Sequence, residues 1–223
     1  MNDYSLEPLE TLPPPAVAGV RGIYEEGFPP HQRADFAELS DGRQSGEIAL
    51  ALVRGGQPSG FAMLRPLGGT GWVFLRYFVV DRHQRGQGLG GVLWDLLAAR
   101  VRAAGFTLLV FDVEDPAEPS HGPGEASIRS RRISFYERHG ARLLPVTGYR
   151  TPHVAPHAAS RDDEGSDWAP MLLMTAALAE DSAGSQPGPD DGWVRAVVDA
   201  VYRYRWQLDP GHPEIAQVLT SSE

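Results

Sequence analysis

The segment Arg85-Gly86-Gln87-Gly88-Leu89-Gly90-Gly91 sets glycines beside an arginine, just ahead of an apolar pattern of helical period. Glycine lacks a Cβ, so a backbone built from it can come close to a ligand. The first N–H groups of a helix have no carbonyl partner within the helix, and the helix dipole adds to their pull on an anion. The chemistry predicted for this turn is the binding of a phosphate or pyrophosphate. One known pattern fits at once: Gly86-x-Gly88-x-x-Gly91 matches a dinucleotide fingerprint, with Asp112 downstream at a distance suited to a ribose contact. Five mostly polar or charged residues, 81–85, separate the preceding strand from the first glycine, however, and the fingerprint starts directly at the strand end.

The surrounding elements must position that turn. Val17, Val20, Ile23 and Tyr24 recur at helical spacing, and Phe28-Pro29-Pro30 stops that helix. A short helix follows over residues 34–39. Residues 47–54, 60–64 and 72–80 read as strands, separated by the Gly-rich turns 55–58 and 68–71. They form an antiparallel N-terminal meander. Leu89, Leu93, Leu96, Leu97, Val101 and Ala104 share one helix face, which Gly105 ends. Residues 107–113 are a buried strand. Strand, crossover helix and strand in that order imply a parallel pair. A Pro/Gly-rich loop over 115–125, a helix over 126–139, strands over 141–146 and 171–177 and a long loop over 147–169 complete the pattern.

The chain therefore reads as an α/β protein with a mixed central sheet and flanking helices. Residues 1–15 are an extended lead-in, 16–179 the main domain, 180–192 a linker, and 193–223 an amphipathic helix and tail. Val194, Val197, Val198 and Val201 line one side of that helix. This face packs on its own domain or forms a homodimer interface.

Taken together, these features resemble the GNAT superfamily of N-acetyltransferases. Arg85-x-x-Gly88-x-Gly90 is similar to the acetyl-CoA signature, with Val80 five residues upstream as in that family. The resemblance covers about residues 16–178. It implies that the N–H groups of Gly86, Gly88, Leu89 and Gly90 hold the pyrophosphate, within the stretch Arg85, Gly86, Gln87, Gly88, Leu89, Gly90 and Gly91. It also implies that Phe78, Val79 and Val80 line the pantetheine. Val80 would pair with it as an added strand, and the Phe78 N–H would polarise the thioester carbonyl. Arg82 either reaches the 3′-phosphate or stays solvated.

Phe135-Tyr136-Glu137-Arg138-His139-Gly140 resembles the family's second landmark, whose tyrosine protonates the departing thiolate. From an unperturbed tyrosine this is uphill by roughly 2 kcal/mol. A packed aromatic is the plain alternative for Tyr136. The family often carries small residues seven and four positions before this tyrosine; here these are Arg129 and Arg132. That departure resembles one branch of the family, which shares the stretches around Asp112, Arg131 and Tyr149. An alkyl ammonium must lose a proton before it attacks, at roughly 4.6 kcal/mol for a pKa near 10.4. The strand 72–80 has no carboxylate, so Glu114 is the candidate base, with Asp112 two residues away on the same strand face. A solvated Glu114, or one paired with Arg131 or Arg132, is the alternative.

The reaction so implied is acetyl transfer from acetyl-CoA to a primary amine of a small-molecule acceptor, without a metal. A catalytically silent acyl-CoA sensor is the second reading. Composition adds bounds. With no cysteine among 223 residues, disulfides, thiolate metal sites and a cysteine nucleophile are excluded. The formal net charge of −9 disfavours nucleic acid. No signal-peptide pattern or membrane span is present, and a cytoplasmic location is expected. His153 and His157 have helical metal spacing, but Pro152 and Pro156 oppose a helix. His121 and Phe28-Pro29-Pro30 are candidate linings of the acceptor entrance. Tyr202-Arg203-Tyr204-Arg205-Trp206 reads as a helix end rather than a nucleic-acid stacking surface.

Overall fold

The computed structural model describes residues 3–40, 46–119, 124–152, 168–178 and 191–221. The chain forms two compact units. The first takes in Met1–Arg65 and Leu75–Ala104; the second takes in Pro66–Phe74, Gly105–Pro152 and Asp167–Glu223.

The first unit is built on four strands. They are β1 (Tyr4–Pro8), β2 (Ile48–Arg54), β3 (Gln57–Pro66) and the greater part of β4 (Trp72–Val80). Its helices are α1 (Pro14–Gly27), α2 (Phe36–Ser40) and α3 (Leu89–Ala103). Proline at the first turn starts α1, where its missing N–H would have had no partner. Val20 and Tyr24 of α1 are fully buried with Phe61, Met63, Tyr77 and Val79. The two tyrosines clamp the chain after α1: the Tyr24 hydroxyl donates to the Ala34 carbonyl at 3.0 Å, and the Ala34 N–H donates to the Tyr77 oxygen at 3.1 Å. Phe28 packs on Tyr24 and Tyr77, with ring centroids 5.6 and 5.1 Å away. It anchors this core. The expected extended lead-in contains a strand: Tyr4–Pro8 pairs antiparallel with β2, from Tyr4↔Arg54 to Pro8↔Leu50. Five residues, one of them proline, gave too short an alternation to be read.

In the second unit, Trp72 to Phe74 of β4 pair in parallel with β5 (Leu108–Glu114), from Trp72↔Leu108 to Phe74↔Val110. β5 then pairs antiparallel along its whole length with β8 (Trp168–Ala177). β6 (Ala141–Leu143) and β7 (Arg150–Pro152) both pair with β8. The eight strands form one mixed sheet in the order β1-β2-β3-β4-β5-β8-β6, with β7 also on β8. The mixed α/β sheet, its meander and its single parallel pair are as the sequence predicted.

The loop expected over 147–169 is corrected at both ends. Arg150–Pro152 pairs with Trp168–Pro170, so both flanks are strand. β6 is shorter than expected, ending at Leu143 two residues before Pro145, which has no N–H to give a ladder.

α4 (Glu125–Arg138) packs beside β5. The predicted C-terminal helix is present, its last turn in π geometry, and a second helix stands where a tail was expected. α5 (Asp191–Ala200) passes into a π-helical turn, Val201–Arg205, and α6 (Pro213–Ser221) follows. Val194, Val197, Val198 and Val201 are buried against Phe74, Leu108, Val110 and Leu173. The apolar face that could have met a second protomer is thus covered within its own unit. Tyr202 is fully buried; its hydroxyl donates to the Arg150 carbonyl at 2.9 Å, so the basic and aromatic run over 202–206 serves packing. Tyr204 lies directly over Gly68, where a Cβ would stand 2.5 Å from its Cζ and where φ is +61°. Gly68→Ala is therefore expected to cost about 1–3 kcal/mol in urea unfolding. Among the described residues, no helix is long and apolar enough to cross a membrane.

Candidate functional site

In the first unit the candidate site is the turn between β4 and α3. Strand pairing carries to its edge, where the Asp81 N–H donates to the Ser59 carbonyl at 2.9 Å. The Asp81 carboxylate then accepts from the His83 N–H at 2.9 Å and from Gln84 Nε2 at 2.8 Å, which fixes a 3-10 turn over Arg82–Gln84. Gly86 and Gly88 both have φ of +79°, and Gly88 caps α3 without any side-chain bond. The first bond into α3 runs from the Val92 N–H to the Gly88 carbonyl at 3.2 Å. The N–H groups of Leu89, Gly90 and Gly91 precede it and so have no acceptor within the helix.

This backbone suits a pyrophosphate. No atom lies within 4 Å of the place where a Cβ on Gly86 or Gly88 would stand, so the turn is open. Glycine is required there by the left-handed backbone rather than by crowding. Arg85, Gly86, Gln87 and Gly88 are exposed, and Leu89 is buried as the foot of the helix. On β4, Val79 is buried, while Phe78 and Val80 are half-buried. The Phe78 ring meets Trp94 of α3 edge-on at 6.0 Å. Arg82 pairs with Glu26 of α1 at 3.0 Å.

In the second unit the candidate residues gather at the carboxyl end of β5, and the strand's alternation divides them between two faces. Phe111 faces α4, where its ring lies 4.5 Å from that of Tyr136. Tyr136 is buried, and burial pushes its hydroxyl up to about 12. The Arg132 charge pulls the other way, and the Asp112 carboxylate adds to the rise. Asp112, one residue on from Phe111, belongs to the opposite face. It is half-buried and accepts from the Tyr149 hydroxyl at 3.3 Å. The Tyr149 oxygen accepts in turn from Trp206 Nε1 at 3.4 Å. Burial pushes Asp112 up to about 6, while Arg205 and the Tyr149 bond hold it down and Glu114 pushes it up.

Glu114, two residues on from Asp112, adds its charge to the Asp112 site and pairs with Arg132 of α4, the helix that carries Tyr136. The two arginines that depart from the family pattern thus have a structural task. Arg129 donates to the carbonyls of Asp115 (3.0 Å) and Glu118 (3.3 Å) and pairs with Glu125 at 3.0 Å. Together with Arg132 it fastens the connection from β5 to α4.

Sequence reasoning missed three features. Glu47, just before β2, pairs with Arg76 of β4 at 2.8 Å and Arg65 of β3 at 3.4 Å, so β4 does meet a carboxylate. The other two are Arg205 and Trp206, whose neighbours Tyr149 and Asp112 are far away in the chain. The four-residue step from Glu125 to Arg129 is a local clue to an ion pair, as are those from Arg21 to Glu25 and from Asp199 to Arg203. His121, His153 and His157 lie outside the described residues, within which no cluster of three or more metal-ligating side chains occurs.

The sheet thus carries one short parallel pair, with an open glycine turn at a helix start in the crossover between its two strands. The sequence model of the acetyltransferase (GNAT) family matches residues 17–141, more than half of the chain. The chain belongs to that family.

Solved structures agree on the fold. A GNAT-family protein from Bacteroides thetaiotaomicron is 19% identical, with a TM-score of 0.64 over 92% of this chain and 99% of that one. The aminoglycoside 6′-N-acetyltransferase from Enterococcus faecium is 18% identical, with a TM-score of 0.54 over 83% and 99%. A GNAT-family acetyltransferase from Elizabethkingia anophelis, solved with acetyl-CoA bound, is 13% identical, with a TM-score of 0.51 over 79% and 99%. No curated protein matches the chain in sequence.

Proposed function

We propose that this protein transfers the acetyl group of acetyl-CoA to a primary amine of a small-molecule acceptor. The observation that carries the proposal is the open turn at Gly86 and Gly88, whose left-handed backbone leads into the bare first turn of α3. The N–H groups of Gly86, Gly88, Leu89, Gly90 and Gly91 would hold the pyrophosphate, with the charge of Arg85 and the backbone of Gln87 beside it. Val79 and Val80 would border the pantetheine, and the Phe78 N–H would be the donor where negative charge develops on the thioester oxygen. Tyr136 would give its proton to the departing sulfur. Glu114, at the half-buried end of β5, would be the group through which the amine's proton leaves for solvent.

The relatives lend support in kind: one is solved with acetyl-CoA, and another is an acetyltransferase of aminoglycosides, which are small molecules. Arg129 and Arg132, the two departures from the family pattern, fasten the connection from β5 to α4.

Calorimetric titration of the intact protein with acetyl-CoA tests the donor site. Binding is expected, and its absence at millimolar acetyl-CoA would falsify the proposal. Gly88→Ala puts a Cβ on a backbone at φ +79°, a cost of about 1–2 kcal/mol. If the turn keeps its shape only at that cost, acetyl-CoA should bind about tenfold more weakly. An unchanged dissociation constant would show that this turn does not hold the phosphates. Thiol release with a panel of primary amines then separates enzyme from sensor.

A further inference from the structure

Resting on the acetyl-transfer reading above, we propose that Asp112 is the first proton acceptor for the amine, and that the C-terminal π-turn sets it for that task through Trp206 and Tyr149. The C-terminal segment therefore belongs to the acceptor side of the site and is more than a cover for the sheet.

Three observations converge. The first is a directed chain of bonds, from Trp206 Nε1 to the Tyr149 oxygen and from the Tyr149 hydroxyl to Asp112 Oδ2. Each donor in it is spent on the next acceptor, so Asp112 Oδ2 is held in place. The second is the backbone that delivers Trp206. Val201–Arg205 is a π-turn, and Gln207 has φ of +57°, the one non-glycine residue with positive φ among the described residues. A π-turn and a left-handed non-glycine residue each cost stability, and they concentrate where a side chain must be aimed. The third is position. Asp112 lies at the carboxyl end of β5, two residues before Glu114, and its charge reaches the Tyr136 hydroxyl.

The surroundings of Asp112 are mixed in charge. Arg205 and Tyr149 favour its carboxylate, while Glu114 on its own strand disfavours it. Tyr136 of α4 and Tyr202 of the π-turn also feel its charge. Its partner in the β8 ladder is Leu173, which has no charge. A carboxylate held between these influences titrates closer to neutrality than an exposed one, which suits a general base at pH 7.

The step balances as follows. Asp112 takes one proton from the ammonium, and the freed electron pair of the nitrogen forms the C–N bond to the acetyl carbon. The C–S bond breaks, its pair stays on sulfur, and Tyr136 supplies the proton that makes the thiol. The second nitrogen proton returns to the tyrosine through water. One proton is released overall, and Glu114 passes the one held by Asp112 to solvent.

The test uses the full chain, acetyl-CoA and a panel of alkyl, aryl, amino-acid, polyamine and aminoglycoside amines, with thiol release followed from pH 5 to 9. For any amine that turns over, the wild type should show an acidic limb in kcat/KM near pH 6. Asp112→Asn should lower kcat/KM at least 100-fold at pH 7 and abolish that limb, with the acetyl-CoA dissociation constant unchanged. Tyr149→Phe, which removes the bond favouring the carboxylate, should shift the limb to higher pH. Because Asn in place of Asp112 removes a disfavoured buried charge, its melting temperature should not fall at pH 7, which separates lost activity from lost folding. Turnover by Asp112→Asn with the wild-type profile overturns the inference and leaves the acetyl-transfer reading intact. Acetyl-CoA binding without thiol release from any amine overturns both.

Discussion

Tyr136→Phe is expected to lower kcat by about 100-fold or more while leaving the dissociation constant of acetyl-CoA unchanged. The substitution removes one oxygen and keeps the ring that packs on Phe111 at 4.5 Å and on Phe135 at 5.2 Å. The hydroxyl, pushed up to about 12 by burial, is a poorer acid than free tyrosine. Against a free thiol of ordinary pKa, the transfer would be uphill by about 5 kcal/mol. The surroundings that disfavour a phenolate also disfavour a thiolate, so the relevant gap is smaller than that difference. A positioned acid still helps, because the proton arrives as the C–S bond breaks. The measurement is steady-state thiol release beside calorimetry with acetyl-CoA. Equal kcat for Tyr136→Phe and wild type would return Tyr136 to the role of a packed aromatic.

Glu47→Ala should be strongly destabilising, lowering the unfolding free energy by about 3 kcal/mol in urea. The Glu47 side chain is 2% exposed, and it neutralises Arg76 and Arg65, themselves 12% and 18% exposed. Truncation leaves both guanidinium groups in a poorly solvated site without this counter-charge. Glu47→Gln, which keeps the size and part of the bonding, should lose less. The Arg76 guanidinium also lies 5.1 Å from the centroid of Tyr77, whose hydroxyl holds Ala34, so the damage should spread to the segment after α1. A loss below about 0.5 kcal/mol would mean that the arginines find water instead.

What the sequence disclosed follows from how local each signal was. The glycine turn, α3 and the β5 strand are written in consecutive residues, by backbone freedom, helical period and continuous apolar runs. They were legible, as was the Phe135–Tyr136 landmark at the end of α4. β1 and β7 were not, since strands of five and three residues exist only through their ladder partners. The π-turn was hidden for a similar reason. Val194 to Val201 predict an uninterrupted amphipathic helix, and the extra residue in the turn answers to what Tyr202, Tyr204 and Trp206 must reach elsewhere in the unit. The same holds for the carboxylates. Asp112 and Glu114 share a strand face by rule, but the partner that claims Glu114 is Arg132, 18 residues further along the chain.

The ladder of β5 with β8 runs without interruption from Leu108↔Ala177 to Glu114↔Met171. Such a ladder fixes the phase of the pleat as well as the position of the strand. One inserted residue before Phe111 would turn every following side chain to the other side of the sheet. The carboxylate would then face α4, and the phenyl ring would face the C-terminal turn. An insertion of this kind could leave strand content and core volume nearly intact while exchanging the two sides of the chemistry. β5 should therefore tolerate changes of side chain far better than changes of length.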